Sequence, residues 1–357
     1  MSKICFLSNH IYPFHVGGSE MVIKNISEQL VSFGHDVLVS GWDVKNDMVR
    51  ENVFIKTLNS NKLKSVLESN DVIIVYSDAF LQLDQLLRLN DAYGKKIILF
   101  PVGFTAAKAS TYLHRLILDR AEKIKFACHD NVYVDAKMLE EYNLPYSVIP
   151  NGISALEFNE SKPKSYSNEV LRLLCVANAF PKKGHAELFA VCDLLSQELP
   201  IELNIYCHTP SWDVGKRLQS QLVNYSKSRP YKVKFNIDKP REEVVKSFYD
   251  NNLFLFCSLK EVAPLCIIES CAAGTPWVSF DVGNVSNVPG GLVNDCVAKD
   301  HNGYVIPSTE LFKKQVLLIK DAISADNYSR LSLQGIEFAS SRTWERIAFE
   351  YDAVIKS

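Results

Sequence analysis

The stretch NNLFLFCSLKEVAPLCIIESCAAGTPWVSF, residues 251–280, decides how the chain is read. It holds an apolar run at Leu253–Cys257, a charged loop, a helical pattern at Pro264–Ala273 and a second apolar run at Trp277–Phe280. Strand, helix and strand in that order form the unit of a parallel sheet covered on both faces. The stretch is no membrane span, because Lys260, Glu261 and Glu269 break it before the ~20 apolar residues a span needs. Glu261 falls in the loop at the carboxyl end of a strand, where ligands of open parallel sheets bind. Glu269 falls on the helix amid Leu265, Cys266, Ile268, Ala272 and Ala273. A carboxylate there is costly to bury unless donors meet it, and vicinal ribose hydroxyls are such donors. An exposed glutamate on an amphipathic helix is the other reading.

The same alternation runs outward in both directions. Strands are expected at Ile4–Ser8, Val37–Ser40, Val53–Leu58, Val72–Tyr76, Lys96–Phe100, Ile124–Ala127 and Ser147–Ile149. Val22, Ile23, Ile26, Leu30 and Phe33 mark a helix, with Ser19 as its N-cap and Gly34 as its stop. Asn159–Glu169 is polar and without period, and reads as a linker. Beyond it come strands Val170–Ala177, Ile201–Tyr206 and Lys232–Asn236, and helices Gly184–Ser196, Trp212–Ser226 and one opening near Pro240. The fold class is therefore α/β, with two doubly wound, Rossmann-like domains at 1–160 and 161–340. Trp344, Ile347, Ala348, Tyr351, Val354 and Ile355 mark a last amphipathic helix within 341–357, with Thr343 as its N-cap.

Two further strand-to-helix loops carry chemistry. His10–Glu20 includes Gly17-Gly18, which lets a ligand approach the backbone at a helix N-terminus that favours anions. A tight turn needing positive φ would use the same residues. Asn178–His185 places Lys182 and Lys183 before Gly184, a seat for a diphosphate or a solvated lysine pair in a turn. Neither the G-x-G-x-x-G fingerprint nor a G-x-x-x-x-G-K-[ST] loop occurs, which removes the main supports of nicotinamide and P-loop chemistry.

Composition narrows the classes. Among 357 residues, 39 Lys+Arg balance 41 Asp+Glu, and a net charge of −2 gives nucleic acid no support as the main partner. A hydrophobic share of 47% is ample for large cores. No secretory signal opens the chain, since Asn9, His10 and His15 interrupt the first apolar run. The nine cysteines form no Cys-x-x-Cys pair and read as buried, reduced thiols of a cytoplasmic protein. No Asp-x-Asp pair or His/carboxylate cluster has ligand-like spacing, so neither a metal nor another cofactor is expected.

SLKEVAPLCIIESCAAGTPWVSFDVGN (258–284) resembles the signature of family-4 retaining glycosyltransferases of GT-B fold. Glu261 and Glu269 stand eight apart, followed by a small-residue helix and the turn Gly274-Thr275-Pro276. Gly17-Gly18-Ser19-Glu20, Gly34-His35-Asp36-Val37, Pro150-Asn151-Gly152-Ile153 with Phe158, Lys183-Gly184 and Thr343-Trp344-Glu345 fall in the family's order. The resemblance spans nearly the whole chain. It implies two domains facing a cleft, with the last helix returning to the first domain. It implies a retaining transferase that moves a sugar from a nucleotide-diphosphate sugar, a UDP-sugar by family frequency, to a glycan, lipid-linked or other hydroxyl acceptor in glycan or polysaccharide synthesis.

By position, Glu269 would bind the ribose, Glu261 would lie near the donor sugar and Lys183 would bind the diphosphate. Val262, Ala263, Pro264 and Leu265 would face sugar and phosphates with their backbone. Asn236-Ile237 would meet the base, and Gly17 and Gly18 would close over the donor. Asn178 stands where the family has an arginine, Val262 where it often has a glycine, and Val102 where a histidine is common. His114 and His129 are the alternatives for that histidine. These departures motivate a second reading, a catalytically weakened homologue acting as a sugar-nucleotide-binding or partner subunit. Finally, a helix from about Thr105 with Lys108, His114, Arg115, Arg120, Lys123 and Lys125 reads as a core-packing helix with a solvated face, or as a peripheral contact with anionic lipid at the cytosolic face of a membrane.

Overall fold

The computed structural model describes residues 1–77, 79–104, 110–129, 134–167, 169–209 and 213–357. The chain divides into two compact units, one made of Met1–Gly152 with Trp344–Ser357, the other of Ile153–Thr343. Each is built on one twisted sheet of mostly parallel strands.

The first unit orders its strands β3-β4-β2-β1-β5-β6-β7-β8. These are β1 (Lys3–Ser8), β2 (Asp36–Gly41), β3 (Met48–Arg50), β4 (Val53–Thr57), β5 (Val72–Tyr76), β6 (Lys96–Phe100), β7 (Ile124–Cys128) and β8 (Tyr146–Val148). All pairs are parallel except β3 with β4. β1 lies between β2 and β5, with Cys5 beside Leu38 on one side and Ile73 on the other. Every residue of β5 is buried, as a central strand covered on both faces requires.

Helix Gly18–Ser32 buries Val22, Ile23, Ile26 and Leu30. Its cap differs from the expectation: Gly17 takes that position with extended backbone and no side-chain hydrogen bond, so Ser19 lies inside the first turn. Gly34, at φ 87°, ends it.

The last helix, Trp344–Lys356, packs in this unit against Gly18–Ser32. Trp344, Ile347, Ala348, Tyr351 and Ile355 are buried, Phe349 stacks on Phe33 and Tyr351 on Phe100. His35 joins the two helices. Its Nδ1 accepts from Ser2 N at 3.2 Å, so Nε2 carries the proton it donates to Asp352 Oδ1 at 3.0 Å.

The second unit orders its strands β11-β10-β9-β12-β13-β14, all parallel. They are β9 (Leu171–Val176), β10 (Ile201–Cys207), β11 (Lys232–Ile237), β12 (Leu253–Phe256), β13 (Trp277–Phe280) and β14 (Gly291–Asn294). From β9 the chain winds outward through β10 to β11, then crosses to β12 on the other side. The reversal between β9 and β12 is the switch point where the carboxyl edge of such a sheet opens a ligand crevice.

The polar stretch Asn159–Glu169, read as a linker, is instead fastened to this unit over its described residues. Ser161 Oγ bonds the Ala272 carbonyl, and Lys164 N donates to Ser332 Oγ at 2.9 Å. Lys164 Nζ donates to Phe248 O, Tyr249 O and Thr275 Oγ1 at 3.0, 3.0 and 2.6 Å. Ser161 and Lys164 supply these side-chain bonds, while Asn159, Glu160, Lys162, Ser165, Ser167 and Glu169 remain exposed.

Candidate active site

Two loops leave the sheet at the switch point, 177–184 after β9 and 257–264 after β12, and they are stitched together. Leu259 N donates to Lys182 O at 2.7 Å. Gly184, at φ 65°, sits so close to β12's end that a Cβ would run into the Cys257 carbonyl oxygen. Only glycine meets both demands, the left-handed backbone and the close approach.

That contact sets Lys183 beside the second loop. Lys183 Nζ lies 2.6 Å from Glu261 Oε1, and Ser258 Oγ lies 2.7 Å from the same oxygen. Burial acts to lower the Lys183 pKa, and the Glu261 carboxylate more than offsets it, so the net shift is upward. The site holds a paired cation and carboxylate, both largely buried. Val262 is fixed through its carbonyl, which accepts from Asn284 N at 3.0 Å. Pro264 caps helix Leu265–Ala272, whose first-turn N–H groups at Leu265 and Cys266 have no intrahelical acceptor. Burial pushes the Cys266 thiol up, with Lys183 pulling it back and Glu261 and Glu269 adding to the rise. One helical turn thus lies within electrostatic reach of all three charged groups.

Glu269 is on that helix and only 8% exposed. Its donor in the folded protein is a side chain distant in sequence, Arg241. Arg241 Nη2 lies 2.6 Å from Glu269 Oε1 and 2.8 Å from Glu157 Oε2, and Arg241 Nε lies 3.1 Å from that Glu157 oxygen. Arg241 opens helix Arg241–Asp250, four residues beyond Ile237 at the end of β11. A signal was present: a cation in a helix's first turn opposes the dipole unless carboxylates meet it. Asn178, at the position of the family's arginine, accepts from His208 N at 2.9 Å through Oδ1. Lys182 is exposed.

His185 opens the helix after Gly184 and is 4% exposed. Its Nε2 faces Ala177 O at 3.3 Å, and Nδ1 has no partner among the described residues. Burial pushes its pKa down to about 4, so the folded protein keeps it neutral. Unfolded histidine protonates near 6.5, so between these values the unfolded chain binds the extra proton and stability falls as pH falls. Stability present above pH ~6.5 should shrink by about 3 kcal/mol by pH ~4. The stability gap between wild type and His185→Asn, from urea denaturation, should narrow by that amount over the window. A constant gap would contradict the buried neutral state.

In the first unit, Gly17 and Gly18 begin a helix behind a braced loop. Asn9 ties that loop to the one after β5, donating to Ala79 O at 2.8 Å and accepting from Leu81 N at 3.0 Å. Glu20 is buried beneath Gly17, and burial raises its pKa. His129 is buried, bonded to the Tyr76 hydroxyl and facing Ile149 O at 3.1 Å. His114 packs edge-on against Tyr142. At Val102, φ is 53°, and the next amide, Gly103 N, donates to Asp135 Oδ1 at 2.8 Å.

The basic helix is described as Thr111–Leu118, capped by Ser110, with Leu116 and Ile117 buried. Thr105 and Lys108 lie outside the described residues. Arg120 and Lys123 both meet Asp91, so part of the basic cluster is neutralised within the unit. No helix among the described residues is long and apolar enough to cross a membrane. Among them, too, no group of three His, Cys, Asp or Glu side chains is placed to hold a metal ion.

The family model for glycosyl transferases group 1 matches residues 157–331, the span holding Lys183, Arg241, Glu261 and Glu269. No curated protein sequence matches the chain. Among solved structures, sucrose-phosphate synthase from Thermosynechococcus elongatus is similar with a TM-score of 0.78 at 14% identity, covering 100% of this chain and 98% of that one. HepE of Anabaena, in complex with UDP-glucose, has a TM-score of 0.72 at 13% identity and covers 100% of both chains. The alpha,alpha-trehalose 6-phosphate synthase of Burkholderia multivorans has a TM-score of 0.74 at 10% identity, covering 100% and 98%. At such identities the likeness establishes the fold. The protein has the GT-B fold, and its residues 157–331 match the family model for glycosyl transferases group 1.

Proposed function

We propose that the protein is a retaining glycosyltransferase that takes a nucleotide-diphosphate sugar, a UDP-sugar by preference, and transfers the sugar to a hydroxyl of a glycan or lipid-linked acceptor. The observation that carries the reading is the convergence of the Lys183–Glu261 pair with helix Leu265–Ala272 at the sheet's switch point. Lys183 Nζ would leave Glu261 for the diphosphate, and the amides of Leu265 and Cys266 would donate to it from the helix N-terminus. Glu269 would accept from the ribose. Ile237, ending β11, and the backbone of Val262 to Pro264 border the same edge. HepE of Anabaena, similar in fold, was solved in complex with UDP-glucose, which supports such a donor.

In the proposed reaction the acceptor oxygen bonds to the sugar's anomeric carbon as the bond to the diphosphate oxygen breaks. The departing diphosphate takes the acceptor's proton on the same face. Charge grows on the diphosphate as this happens, and Lys183 with the helix amides is placed to stabilise it. The scheme draws its cations from the chain itself. The proposed setting is the cytoplasm or a cytosolic membrane face, where nucleotide sugars and reduced thiols coexist.

The test is transfer by the purified protein from a panel of nucleotide sugars to a panel of glycan and lipid acceptors, with the anomeric configuration of the product read by NMR. Retention is the expected result. Inversion would overturn the mechanism, and nucleotide binding without turnover across the panel would assign a binding subunit instead.

A further inference from the structure

Arg241, at the second unit's carboxyl edge, is held between two carboxylates. Its guanidinium is held from one side by Glu157, whose Oε2 accepts from both Nη2 at 2.8 Å and Nε at 3.1 Å. On the other side Nη2 reaches Glu269 Oε1 at 2.6 Å. The group lies 5.8 Å from the centre of the buried Phe158 ring, which adds a cation–π contact. The three side chains form a chain of charges, carboxylate to guanidinium to carboxylate, anchored at Phe158 and ending at Glu269.

Glu269 is thereby divided between two tasks. Oε1 is committed to Arg241, while Oε2 has no partner among the described residues. A free carboxylate rotates about its last torsion, whereas one whose first oxygen is held by a charge-assisted bond presents the second in a fixed direction. A guanidinium suits this because its fork is rigid, so fixing Nε and Nη2 on Glu157 fixes where Nη2 meets Glu269.

We propose that Arg241 is a positioning residue for ribose recognition: by clamping Oε1 of Glu269, it aims Oε2 at a hydroxyl of the nucleotide's vicinal diol. The inference rests on the reading of Glu269 as the ribose acceptor. It adds that discrimination between ribose and a sugar lacking those hydroxyls is set from outside the ligand contact, by Arg241 and its backing carboxylate Glu157. A merely structural Arg241 would alter all nucleotide affinities alike. A positioning one alters only those of ligands that carry the hydroxyls.

The experiment compares UDP with 2′,3′-dideoxy-UDP by calorimetry on wild type, Arg241→Gln and Arg241→Lys, each checked for folding by thermal melting. Wild type should bind UDP roughly ten- to hundred-fold more tightly than the dideoxy compound. In Arg241→Gln that preference should fall to within about threefold, with dideoxy-UDP affinity close to wild type. Arg241→Lys keeps the charge without the fork and should retain an intermediate preference. It carries the test if the glutamine variant does not fold.

An undiminished preference in the folded variants, or an equal loss for both ligands, overturns the role of Arg241 alone. A wild type that binds both compounds equally overturns the ribose reading of Glu269, and the inference with it. A wild type that binds neither overturns the nucleotide seat itself.

Discussion

Replacing Lys183 by alanine is expected to lower kcat/KM for sugar transfer by about 10²–10³-fold, or roughly 3–4 kcal/mol of lost transition-state stabilisation. The size follows from what the ammonium does in two states. In the resting protein it neutralises Glu261 at 2.6 Å. In the proposed reaction it must leave that carboxylate for the diphosphate, whose negative charge grows as the sugar departs. Alanine removes the attraction and strands Glu261, held among the described residues by Ser258, beside an anion. Glu261→Gln changes the same pair with the opposite sign, since it releases Lys183. It should leave UDP affinity equal to or greater than wild type while lowering turnover. Steady-state kinetics with calorimetric UDP affinities check both variants. A fall below tenfold in Lys183→Ala, with the fold intact, would take Lys183 away from the reacting phosphates.

Glu269→Ala should weaken UDP binding by roughly ten- to hundred-fold, the ~1.5–3 kcal/mol of a ribose hydrogen bond to a carboxylate. The structure makes this variant a clean probe. Removing Glu269 does not orphan Arg241, because Glu157 still holds its Nε and Nη2 at 3.1 and 2.8 Å. The cavity left is that of one largely buried side chain, so the protein should fold. Turnover at saturating donor should fall less than affinity, since the ribose lies away from the bond that breaks. Equal UDP affinity in wild type and Glu269→Ala would remove Glu269 from the site.

Much of this architecture is legible in the sequence because a doubly wound sheet writes itself in two periods. Apolar runs such as Val72–Tyr76 and Leu253–Phe256 alternate with helical patterns such as Val22 to Leu30. Two short strands escape that reading. Met48–Arg50 pairs antiparallel at the sheet's edge, where its central residue, Val49, is exposed, so it lacks the continuous apolar run of a central strand. Gly291–Asn294 follows Pro289 and Gly290, which read as a turn. It is a strand because Gly291 lies flat against the Trp277 indole, where a side chain would collide. Asn294 looks like loop chemistry too, yet it is buried and donates to Leu311 O and Gln315 Oε1, both at 3.0 Å.

The site is half legible for a similar reason. Glu261, Glu269 and Lys183 stand in local motifs, and local spacing survives translation from sequence to loop. The partner of Glu269 does not, because Glu157 and Arg241 approach from segments 112 and 28 residues away in the sequence, distances no spacing rule spans. The burial cost of Glu269 announces that a donor exists without naming it. Asn159–Glu169 is mostly exposed, as its composition suggests, and what composition does not reveal is that Ser161 and Lys164 fasten it to the second unit.

The most direct measurement is a crystal structure of the protein with UDP. The account predicts the diphosphate within hydrogen-bond distance of Lys183 Nζ and the Leu265 amide, Lys183 released from Glu261, and a ribose hydroxyl on Glu269 Oε2 with Arg241 still on Oε1. UDP bound away from the 177–184 and 257–264 loops, with the Lys183–Glu261 pair intact, would contradict it.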